Sequence, residues 1–283
     1  MKIFLYVILM IIHSISMLGK RPTNEDQHEI IINLDGNDTE LKDINIFGVF
    51  DGHGGKDVAK YLKRNIPQFF TRNHMNYDTN NQDKFKKYIE KVYDRVQNNL
   101  ERKYKNTSYT IGSTALLSIF YKHNKTIKYN IINVGDSRSV KCNKDLIAVP
   151  LSIDHKPHHI NERKRIENIG GEIIFDGDDW RIKDLSVSRA FGDMDATPFV
   201  THKPEIFNYS LKKNDKFIIF ACDGLWDVIG NQEAIDFVLL ELEKNDKIST
   251  MIGYSKKNIA HQLASYAIDK GSFDNVSIII VFL

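Results

Sequence analysis

Apolar side chains recur every three or four residues in segments 58–66 and 85–100, which places them on one face of a helix in each segment. The segment 73–82 between them is rich in asparagine and predicts an exposed loop. The sequence therefore predicts two antiparallel helices joined by this loop. Two more helices are predicted near the C-terminus, at 232–243 and 256–270.

Short apolar runs bounded by turn residues predict β-strands, several of which follow one another as hairpins. The predicted strands are 13–18, 29–34, 44–50, 114–121, 127–134, 139–142, 146–149, 172–175, 217–221 and 277–282. A further helix is predicted at 161–168, where Gly170 and Gly171 give a stop signal. Hairpins dominate the middle of the chain and the helices come in pairs. This pattern favours antiparallel sheets covered by separate helix pairs, so the predicted fold class is α+β.

The bulk composition is that of one globular domain with a large core. The chain has 283 residues, 42% of them hydrophobic, and 39 basic against 37 acidic residues give a net charge of +2. Such a balance requires no nucleic-acid or anionic-membrane partner. The two cysteines cannot build a disulfide framework, and Cys222 lies in an apolar run where a buried, inert thiol is expected. A reducing compartment, the cytoplasm, is therefore favoured.

The N-terminal segment gives an ambiguous signal for localisation. Lys2, an apolar run at 3–12 and two following serines have the layout of a secretory signal. The run is short for a membrane span, which needs about 20 apolar residues, and cleavage after Ser16 would remove most of the strand predicted at 13–18. We expect a hydrophobic lead-in at 1–12 followed by one folded domain at 13–283. Secretion or membrane anchoring through residues 1–16 is the alternative.

Acidic residues lie beside apolar strands in five short segments, RPTNEDQH, FGVFDGHGG, NVGDSR, ACDGLWDV and GSFDNVSI. The carboxylates concerned are Glu25, Asp26, Asp51, Asp136, Asp223, Asp227 and Asp274. So many carboxylates in one site would repel one another, because unpaired buried charge raises pKa values or unfolds the site. Cations must neutralise them, which predicts a multinuclear metal centre. Carboxylate, carbonyl and water oxygens favour Mg²⁺ or Mn²⁺ over Zn²⁺.

The pentapeptide DGHGG at 51–55 follows the apolar strand at 44–50 directly. Asp51 is therefore expected at a strand end, and the flanking glycines allow the backbone to approach another group closely. The carbonyl of Gly52 can then join the carboxylate of Asp51 as a metal ligand. For this pentapeptide taken alone, an ordinary glycine-rich turn is the alternative.

Together, these motifs make the chain resemble the metal-dependent protein serine/threonine phosphatases of the PP2C (PPM) family, from about Ser16 to the C-terminus. The motifs are RxxNED at 21–26, DGHGG at 51–55, GST at 112–114, VGDSR at 134–138, DHKP at 154–157, IGGEI at 169–173, LSVSRAFGD at 185–193, DGLWD at 223–227 and DNVS at 274–277. They occur in the family's order. The resemblance implies that 13–283 is the catalytic domain. Its fold would be a central antiparallel β-sandwich flanked by pairs of antiparallel helices, in four αββα layers.

The resemblance also implies the metal ligands. Asp51 would bridge two metal ions, with Asp223 and Asp274 completing the first and the Gly52 carbonyl serving the second. The expected cofactors are therefore two Mg²⁺ or Mn²⁺ ions per site.

The resemblance implies outer-shell or accessory roles at the metal centre for four further carboxylates. Glu25 and Asp26 would hold metal-bound waters as outer-shell groups. Asp136 and Asp227 match positions that bind a weaker third metal ion in some family members. Asp193 also matches an acidic family position, and for it we expect a structural role.

Two residues are implied to act on the phosphate. Arg21 would grip it, since a planar guanidinium offers paired donors to phosphoryl oxygens. His53 would be the general acid that protonates the leaving serine or threonine oxygen, with a structural histidine as the alternative. Two metal ions about 3.5–4 Å apart can lower the pKa of a shared water from 15.7 towards 7, which supplies the attacking hydroxide.

Other polar signals have simpler interpretations. The three histidines in DHKPHH at 154–159 lack the further ligands of a zinc set, so a polar loop entering a helix is expected. The basic run at 163–165 predicts a solvated helix face. Trp180 and Arg181 fall in a region that lies near a flap beside the active site in the family. They are candidates for substrate contact, with core packing of Trp180 as the alternative. The segment MDATPFV at 194–200 lacks an aromatic-lysine pair common in the family, which leaves substrate preference open.

The leading hypothesis is a Mg²⁺- or Mn²⁺-dependent phosphatase that acts on phosphoserine and phosphothreonine in proteins, without a covalent phosphoenzyme and as a monomer. A catalytically silent binding module is one rival, but it would have lost metal carboxylates, and here every expected one is present. A phosphatase of small phosphorylated molecules is the other rival.

Overall fold

The computed structural model of the protein describes residues 10–33, 44–71, 81–104, 109–123, 126–248 and 257–283. Most of the predicted lead-in at 1–12 and of the predicted loop at 73–82 lies outside these residues. The strands are β1 (Ile11–Met17), β2 (Gln27–Ile32), β3 (Ile44–Phe50), β4 (Gly52–His53), β5 (Gly112–Ser113), β6 (Ala115–His123), β7 (Thr126–Val134), β8 (Arg138–Cys142), β9 (Ala148–Pro150), β10 (Ile174–Phe175), β11 (Trp180–Arg181), β12 (Phe191–Gly192), β13 (Glu205–Ser210), β14 (Phe217–Ala221) and β15 (Val276–Phe282). The helices are α1 (Asp57–Asn65), α2 (Gln68–Thr71), α3 (Gln82–Lys103), α4 (Ile160–Asn168), α5 (Asp223–Trp226), α6 (Asn231–Ile248) and α7 (Ile259–Asp269).

Ten of these strands form two five-stranded sheets in which neighbouring strands run antiparallel. The first sheet has the order β13-β7-β6-β3-β2, and the second sheet has the order β1-β15-β14-β8-β9. Buried side chains of both sheets meet in one cluster, where the rings of Phe47 and Phe220 lie 5.9 Å apart. The two sheets are therefore the inner layers of a sandwich.

Strand β3 shows why these strands read as continuous apolar runs. Ile44 and Ile46 point into the cluster under the helices, whereas Phe47 and Val49 point into the cluster between the sheets. Successive side chains of a strand face opposite sides, so a strand covered on both sides needs apolar residues at every position. All seven residues of β3 are buried.

Helices cover the outer face of each sheet. Helices α1 and α3 bury Val58, Leu62 and Ile89 against the first sheet. Helices α6 and α7 bury Val238 and Leu263 against the second sheet. These are the apolar stripes that the sequence predicts, and the molecule has the four αββα layers. The predicted α+β fold class is confirmed.

The boundaries differ most where strands are short. The strand predicted at 172–175 is reduced to β10, which pairs only with β11 in a two-stranded hairpin. Strand β13 was not predicted, nor were β4, β5 and β12, which form a separate three-stranded sheet in the order β12-β5-β4. Two-residue strands have no periodicity to detect, so pairing with other segments defines them.

A helix that crosses a bilayer needs about 20 predominantly apolar residues, and the helices of the described residues do not meet this condition.

Candidate active site

Strand register explains how acidic residues distant in sequence meet at one end of the sandwich. In the first sheet Gln27 pairs with Phe50, so Asp26 before β2 lies beside Asp51 after β3. In the same sheet Ala115 pairs with Val134, which places Asp136 close to the segment that precedes β6.

The second sheet contributes its acidic residues at the same end. Strand β14 ends beside the start of β15, with Ala221 paired to Ile278. Asp223 follows the first strand and Asp274 precedes the second. Asp227 lies one turn further along, where its backbone N–H donates to the carbonyl of Asp223 at 2.9 Å.

A cleft of about 430 Å³ opens at this end of the sandwich. Sequence-predicted site residues that line it are Arg21, Glu25, Asp51, Gly52, His53, Asp136, Asp223 and Asp274. Asp26 is buried, with 3% of its surface exposed, and it lies against Asp51 behind the cleft. The structure thus gathers most of the predicted residues around one cavity, whereas Asp227 is not part of its lining.

Buried carboxylates raise one another's pKa in this region. Burial and the neighbouring charges of Asp26 and Asp223 hold the pKa of Asp51 well above its ordinary value. Burial and the charges of Asp136 and Asp227 do the same for the pKa of Asp223. Burial, with a smaller contribution from Asp274, raises the pKa of Asp26 to about 6. The ionised forms of these groups are therefore costly without a cation.

The donor set around Asp26 fits a hard cation. Ligand atoms of Asp26, Asp51 and Cys222 lie within 4.8 Å of one another. Within the described part of the chain, neither carboxylate oxygen of Asp26 has a hydrogen bond of ordinary geometry, although the side chains of Ser277 and Cys222 lie near enough to lower its pKa in part. Burial raises the pKa of the Cys222 thiol, so this sulfur stays protonated and is a poor metal ligand. Carboxylate oxygens remain, and these suit Mg²⁺ or Mn²⁺.

Backbone approach at Gly52 holds two of the acidic segments together. A Cβ at this position would lie 2.5 Å from the carbonyl oxygen of Glu25, so a larger residue could not fit without movement of the backbone. The side chain of Glu25 in turn accepts a hydrogen bond from the N–H of Gly55 at 3.0 Å. The glycines of DGHGG therefore bring this loop against the segment that carries Glu25 and Asp26.

Hydroxyl groups fix the backbone of Asp51. The hydroxyl of Thr114 accepts from the N–H of Asp51 at 3.1 Å, and the N–H of Thr114 donates to the carbonyl of Asp51 at 2.8 Å. Thr114 is also hydrogen-bonded to Ser137 at 2.8 Å. The GST and VGDSR motifs therefore support the position of Asp51.

Asn275 is a functional candidate that sequence reasoning missed. Its side chain accepts from the N–H of Glu25 at 2.9 Å and donates to the carbonyls of Leu18 and Thr23 at 2.8 and 3.0 Å. It thereby joins the start of β15 to the N-terminal segment that carries Glu25 and Asp26. Its place beside Asp274 in the DNVS motif was the available signal.

Lys156 is a second missed residue. Its ammonium nitrogen lies 2.5 Å from a carboxylate oxygen of Asp136. Burial alone would lower the pKa of Lys156, but the charges of Asp136 and Asp223 raise it well above its ordinary value. The lysine therefore places a fixed positive charge at the edge of the carboxylate cluster. The DHKP motif contains it, but the sequence does not show which acid it meets.

Arg21 and His53 both line the cleft, and each of them pairs with a different aspartate. The guanidinium of Arg21 is largely exposed and donates to Asp274 at 2.7 Å. The Nε2 atom of His53 lies 2.7 Å from Asp193. Burial would lower the pKa of His53, but the hydrogen bond and charge of Asp193 raise it above its ordinary value.

The neighbouring polar signals mostly have structural roles. His155 is buried and accepts from the N–H of Gly135 at 3.0 Å, and across the described residues no histidine joins a cluster able to hold a metal ion. Arg165 is not on the solvated face predicted for the basic run, because it bonds inward to Glu162. Trp180 lies 5.3 Å from the ring of Phe175, so it packs within the short hairpin.

Comparison with known proteins places this geometry in a family. The family model for protein phosphatase 2C matches residues 12–276. A PP2C-like domain-containing protein of Acanthamoeba polyphaga mimivirus is 48% identical over 166 residues, which cover 54% of this chain and 92% of that protein. Protein phosphatase 1L of Bos taurus is 33% identical over 273 residues, which cover 94% of this chain and 70% of that protein.

A solved structure agrees on the fold. The serine-threonine phosphatase 2C of Toxoplasma gondii matches with a TM-score of 0.77 at 20% identity, covering 96% of this chain and 94% of that one. The match of the family model across nearly the whole chain, the relatives named protein phosphatases and the shared fold show one origin. The chain belongs to the protein phosphatase 2C family and is a protein phosphatase.

Proposed function

We propose that this phosphatase is a Mg²⁺- or Mn²⁺-dependent enzyme that hydrolyses phosphoserine and phosphothreonine in proteins by direct attack of water, without a covalent phosphoenzyme. The observation that carries the proposal is the excess of buried carboxylates in one cleft. Five of the acidic residues predicted for the site line this cleft, Asp26 lies behind it, and the pKa of Asp26, Asp51 and Asp223 is raised. Bound divalent cations would remove this electrostatic cost.

The residues present fit two ions. Asp51, Asp223, Asp274 and the Gly52 carbonyl would hold them, as the family resemblance implies. The chemistry that such ions supply when bound is a water whose pKa falls from 15.7 towards about 7.

The remaining carboxylates would serve the same centre from a greater distance. Glu25 and Asp26 would act as outer-shell groups. Asp26 lies near enough to Asp51 to accept a hydrogen bond from solvent held there. Asp136 and Asp227 would contribute to a third cation site beside Asp223, at the edge where Lys156 now neutralises Asp136.

Arg21 would bind the phosphoryl group. Its side chain is 56% exposed, so a substrate can reach it, and its bond to Asp274 orients the guanidinium over the cleft. A guanidinium has five N–H donors in a planar fork, which suits two phosphoryl oxygens at once. Its positive charge also favours the dianionic substrate over the neutral alcohol product.

His53 would protonate the leaving oxygen. It lines the cleft two residues after Asp51, and its side chain is 29% exposed. The hydrogen bond and charge of Asp193 raise the pKa of His53, which favours the protonated imidazole that a general acid needs. Serine and threonine oxygens leave poorly as alkoxides, so a proton donor at this place lowers the barrier.

A single assay tests both the metal dependence and the substrate class. Phosphoserine and phosphothreonine peptides are incubated with the protein in chelator, and Mn²⁺ or Mg²⁺ is then added back. We expect turnover only after the divalent ion is restored, with peptides preferred over small phosphomonoesters. Full turnover in chelator would contradict the metal centre, and a preference for small phosphomonoesters would contradict protein substrates.

The absence of a covalent intermediate has its own test. A peptide labelled on its phosphate with ³²P is mixed with the enzyme and quenched in acid within one turnover. We expect all of the label in peptide or inorganic phosphate. Label bound to the denatured protein would contradict direct attack by water.

A further inference from the structure

His53 and Asp193 form a close pair beside the cleft. The Nε2 atom of His53 lies 2.7 Å from Oδ2 of Asp193. The aspartate is 2% exposed, whereas the imidazole is 29% exposed. The pair therefore has a buried acidic end and a histidine end that solvent and substrate can reach.

The small three-stranded sheet builds this pair. Strand β5 lies between β4 and β12, so Gly112 is paired with His53 on one side and with Gly192 on the other. Asp193 follows Gly192 directly and has a left-handed backbone with φ of 45°. The carboxylate thereby reaches across the middle strand to the imidazole.

The middle strand has space for this contact only because residue 112 is glycine. A Cβ on Gly112 would lie 2.0 Å from Oδ2 of Asp193 and 2.3 Å from Nε2 of His53. Any larger residue would occupy the place of the hydrogen bond itself. The fold thus contains a glycine at the position where the pair needs it.

The strand that carries Asp193 is held from the helix layer. The side chain of Gln97 in α3 accepts from the N–H of Gly192 and donates to its carbonyl, both at 3.1 Å. The N–H of Asp193 donates to the carbonyl of Ile111 at 3.2 Å. Asp193 is therefore fixed by backbone contacts that do not involve His53.

We propose that Asp193 is the positioning residue for His53, an inference that rests on the proposed phosphatase function. Its carboxylate accepts the N–H at Nε2, which fixes both the ring orientation and the tautomer. Nδ1 is then the nitrogen that gives a proton to the leaving alcohol. An aspartate in this place orients an imidazole without itself changing protonation state, as in the partner of a catalytic histidine.

The proton balance of this step is simple. Water attacks phosphorus, keeping one of its protons in the hydrogen phosphate product and losing the other to solvent, while the ester P–O bond breaks and its electron pair goes to the seryl or threonyl oxygen. That oxygen takes the proton from Nδ1 of the His53 imidazolium. The imidazole becomes neutral with its Nε2–H still on ionised Asp193, and solvent restores the lost proton.

The chain offers a matched control. His202 and Asp94 form another histidine–aspartate pair, with Nε2 of the histidine 2.8 Å from Oδ1 of the aspartate. These two residues are absent from the lining of the cleft. Asp94 is more exposed than Asp193 and also pairs with Lys203, so Asp94→Asn makes the same chemical change in a second, less buried histidine–aspartate pair outside the site.

The experiment compares Asp193→Asn with this control on two substrates in Mn²⁺. General acid catalysis is worth about 10²–10⁴-fold, so we expect Asp193→Asn to lower kcat on a phosphoserine peptide at least about tenfold. On p-nitrophenyl phosphate, whose leaving group needs no proton, the loss should stay within about twofold. Asp94→Asn should leave both rates unchanged.

A double variant shows whether Asp193 acts through His53. In the background of His53→Gln, Asp193→Asn should cost no further activity on the peptide. Equal losses on both substrates, or a full additional loss in the double variant, would overturn the positioning role.

A second single variant covers the case in which Asp193→Asn does not fold. Gly112→Ala keeps every charge and separates the pair, so it should show the same selective loss on the peptide. If the wild-type protein is active and neither variant shows a selective loss on the peptide, only the role of Asp193 is overturned. If the wild-type protein itself turns over neither substrate, the proposed function is overturned as well.

Discussion

Two regions of this molecule bring carboxylates out of water, and they balance the charge in opposite ways. Five predicted carboxylates line the cleft, and in the described residues Asp274 contacts the cation Arg21 and Asp136 contacts the cation Lys156. In α4, the buried acid Glu162 meets two arginines, Arg165 and Arg189. The first region has an excess of negative charge, and the second has none.

The second region is a closed ion-pair network. Although burial would raise the pKa of Glu162, the hydrogen bonds of Arg189 and Arg165 lower it to about 2. Arg165 also donates to the carbonyls of Ser188 and Phe199. The network therefore joins α4 to the segment that leads into β12, and its role is to hold the fold.

Opposite pKa shifts distinguish a structural acid from a ligand. A buried carboxylate that the protein neutralises with its own cations has a lowered pKa, as Glu162 has. A carboxylate that is removed from water without such cations has a raised pKa, as Asp51 has. Its ionised form is costly until a cation from solution completes the site.

The largest expected effect comes from Asp51→Asn. The change removes a central oxygen ligand, so metal-supported turnover should fall far beyond the ~10–100-fold that loss of an outer partner of a metal ligand typically costs. It also removes a charge that repels Asp26 and Asp223, so the metal-free protein should stay folded. Turnover during a Mn²⁺ titration and thermal unfolding in chelator measure the two effects.

Asp215→Asn is the matched control for Asp51→Asn. Asp215 is a more deeply buried aspartate than Asp51, and its partner is Lys141 at 2.8 Å. Its loss should lower stability and leave the Mn²⁺ dependence of turnover unchanged. Wild-type turnover in Asp51→Asn would remove this residue from the proposed ligands.

Glu162→Gln tests the balanced region. Breaking a buried pair by removing one partner typically costs about 3–5 kcal/mol, because it leaves uncompensated charge behind. We expect a loss of this size in the free energy of unfolding, measured in urea. The gain in stability on adding Mg²⁺ should equal that of the wild type. Recovery of the lost stability by Mg²⁺ would show that the two regions are not separate.

Lys156→Met tests the cleft from the opposite side. The change removes a cation that contacts Asp136, so the metal-free protein should lose about 1–3 kcal/mol of stability. Unlike the loss in Glu162→Gln, this one should shrink when a divalent ion is added, because the ion supplies the missing charge. Urea unfolding with and without Mg²⁺ gives both values. An equal loss under both conditions would argue that Lys156 does not share its site with the cations.

The sequence predicted the elements whose periodicity extends over enough residues. Strand β3 has the predicted bounds 44–50, and the stripe of Val58, Leu62 and Ile66 is buried as expected. Strands of two residues, such as β4 and β12, have no period and exist through their pairing with β5. The sheet that joins His53 to Asp193 could therefore not be predicted from the sequence pattern.

The candidate site was predictable as a set of acids but not as a set of pairs. Motif segments identified the carboxylates, and strand register then brought them together. The partners were not predictable, since His53 and Asp193 lie 140 residues apart. Arg165 was expected in solvent as part of a basic run, yet burial of Glu162 turns it inward. Local charge patterns do not reveal which acid a cation will meet.

The smallest expected effect is the pH dependence of stabilisation by metal. Asp26 has its pKa raised from 3.8 to about 6, so between these values the folded protein binds more protons than the unfolded chain. The stability of the metal-free protein must therefore fall as pH rises through this range.

Divalent ions neutralise the ionised carboxylates, so the increase in melting temperature on adding Mg²⁺ should grow from pH 4.5 to pH 7. Since buffer ions screen part of the repulsion, we expect growth of about 2–4 °C, which corresponds to roughly 1 kcal/mol for a domain of this size. In Glu162→Gln, the increase in melting temperature on adding Mg²⁺ should grow with pH as it does in the wild type, because arginines and not metal ions balance the charge of Glu162. A gain that stays constant with pH would mean that the cleft carries no excess charge, and the contrast between the two regions would fail.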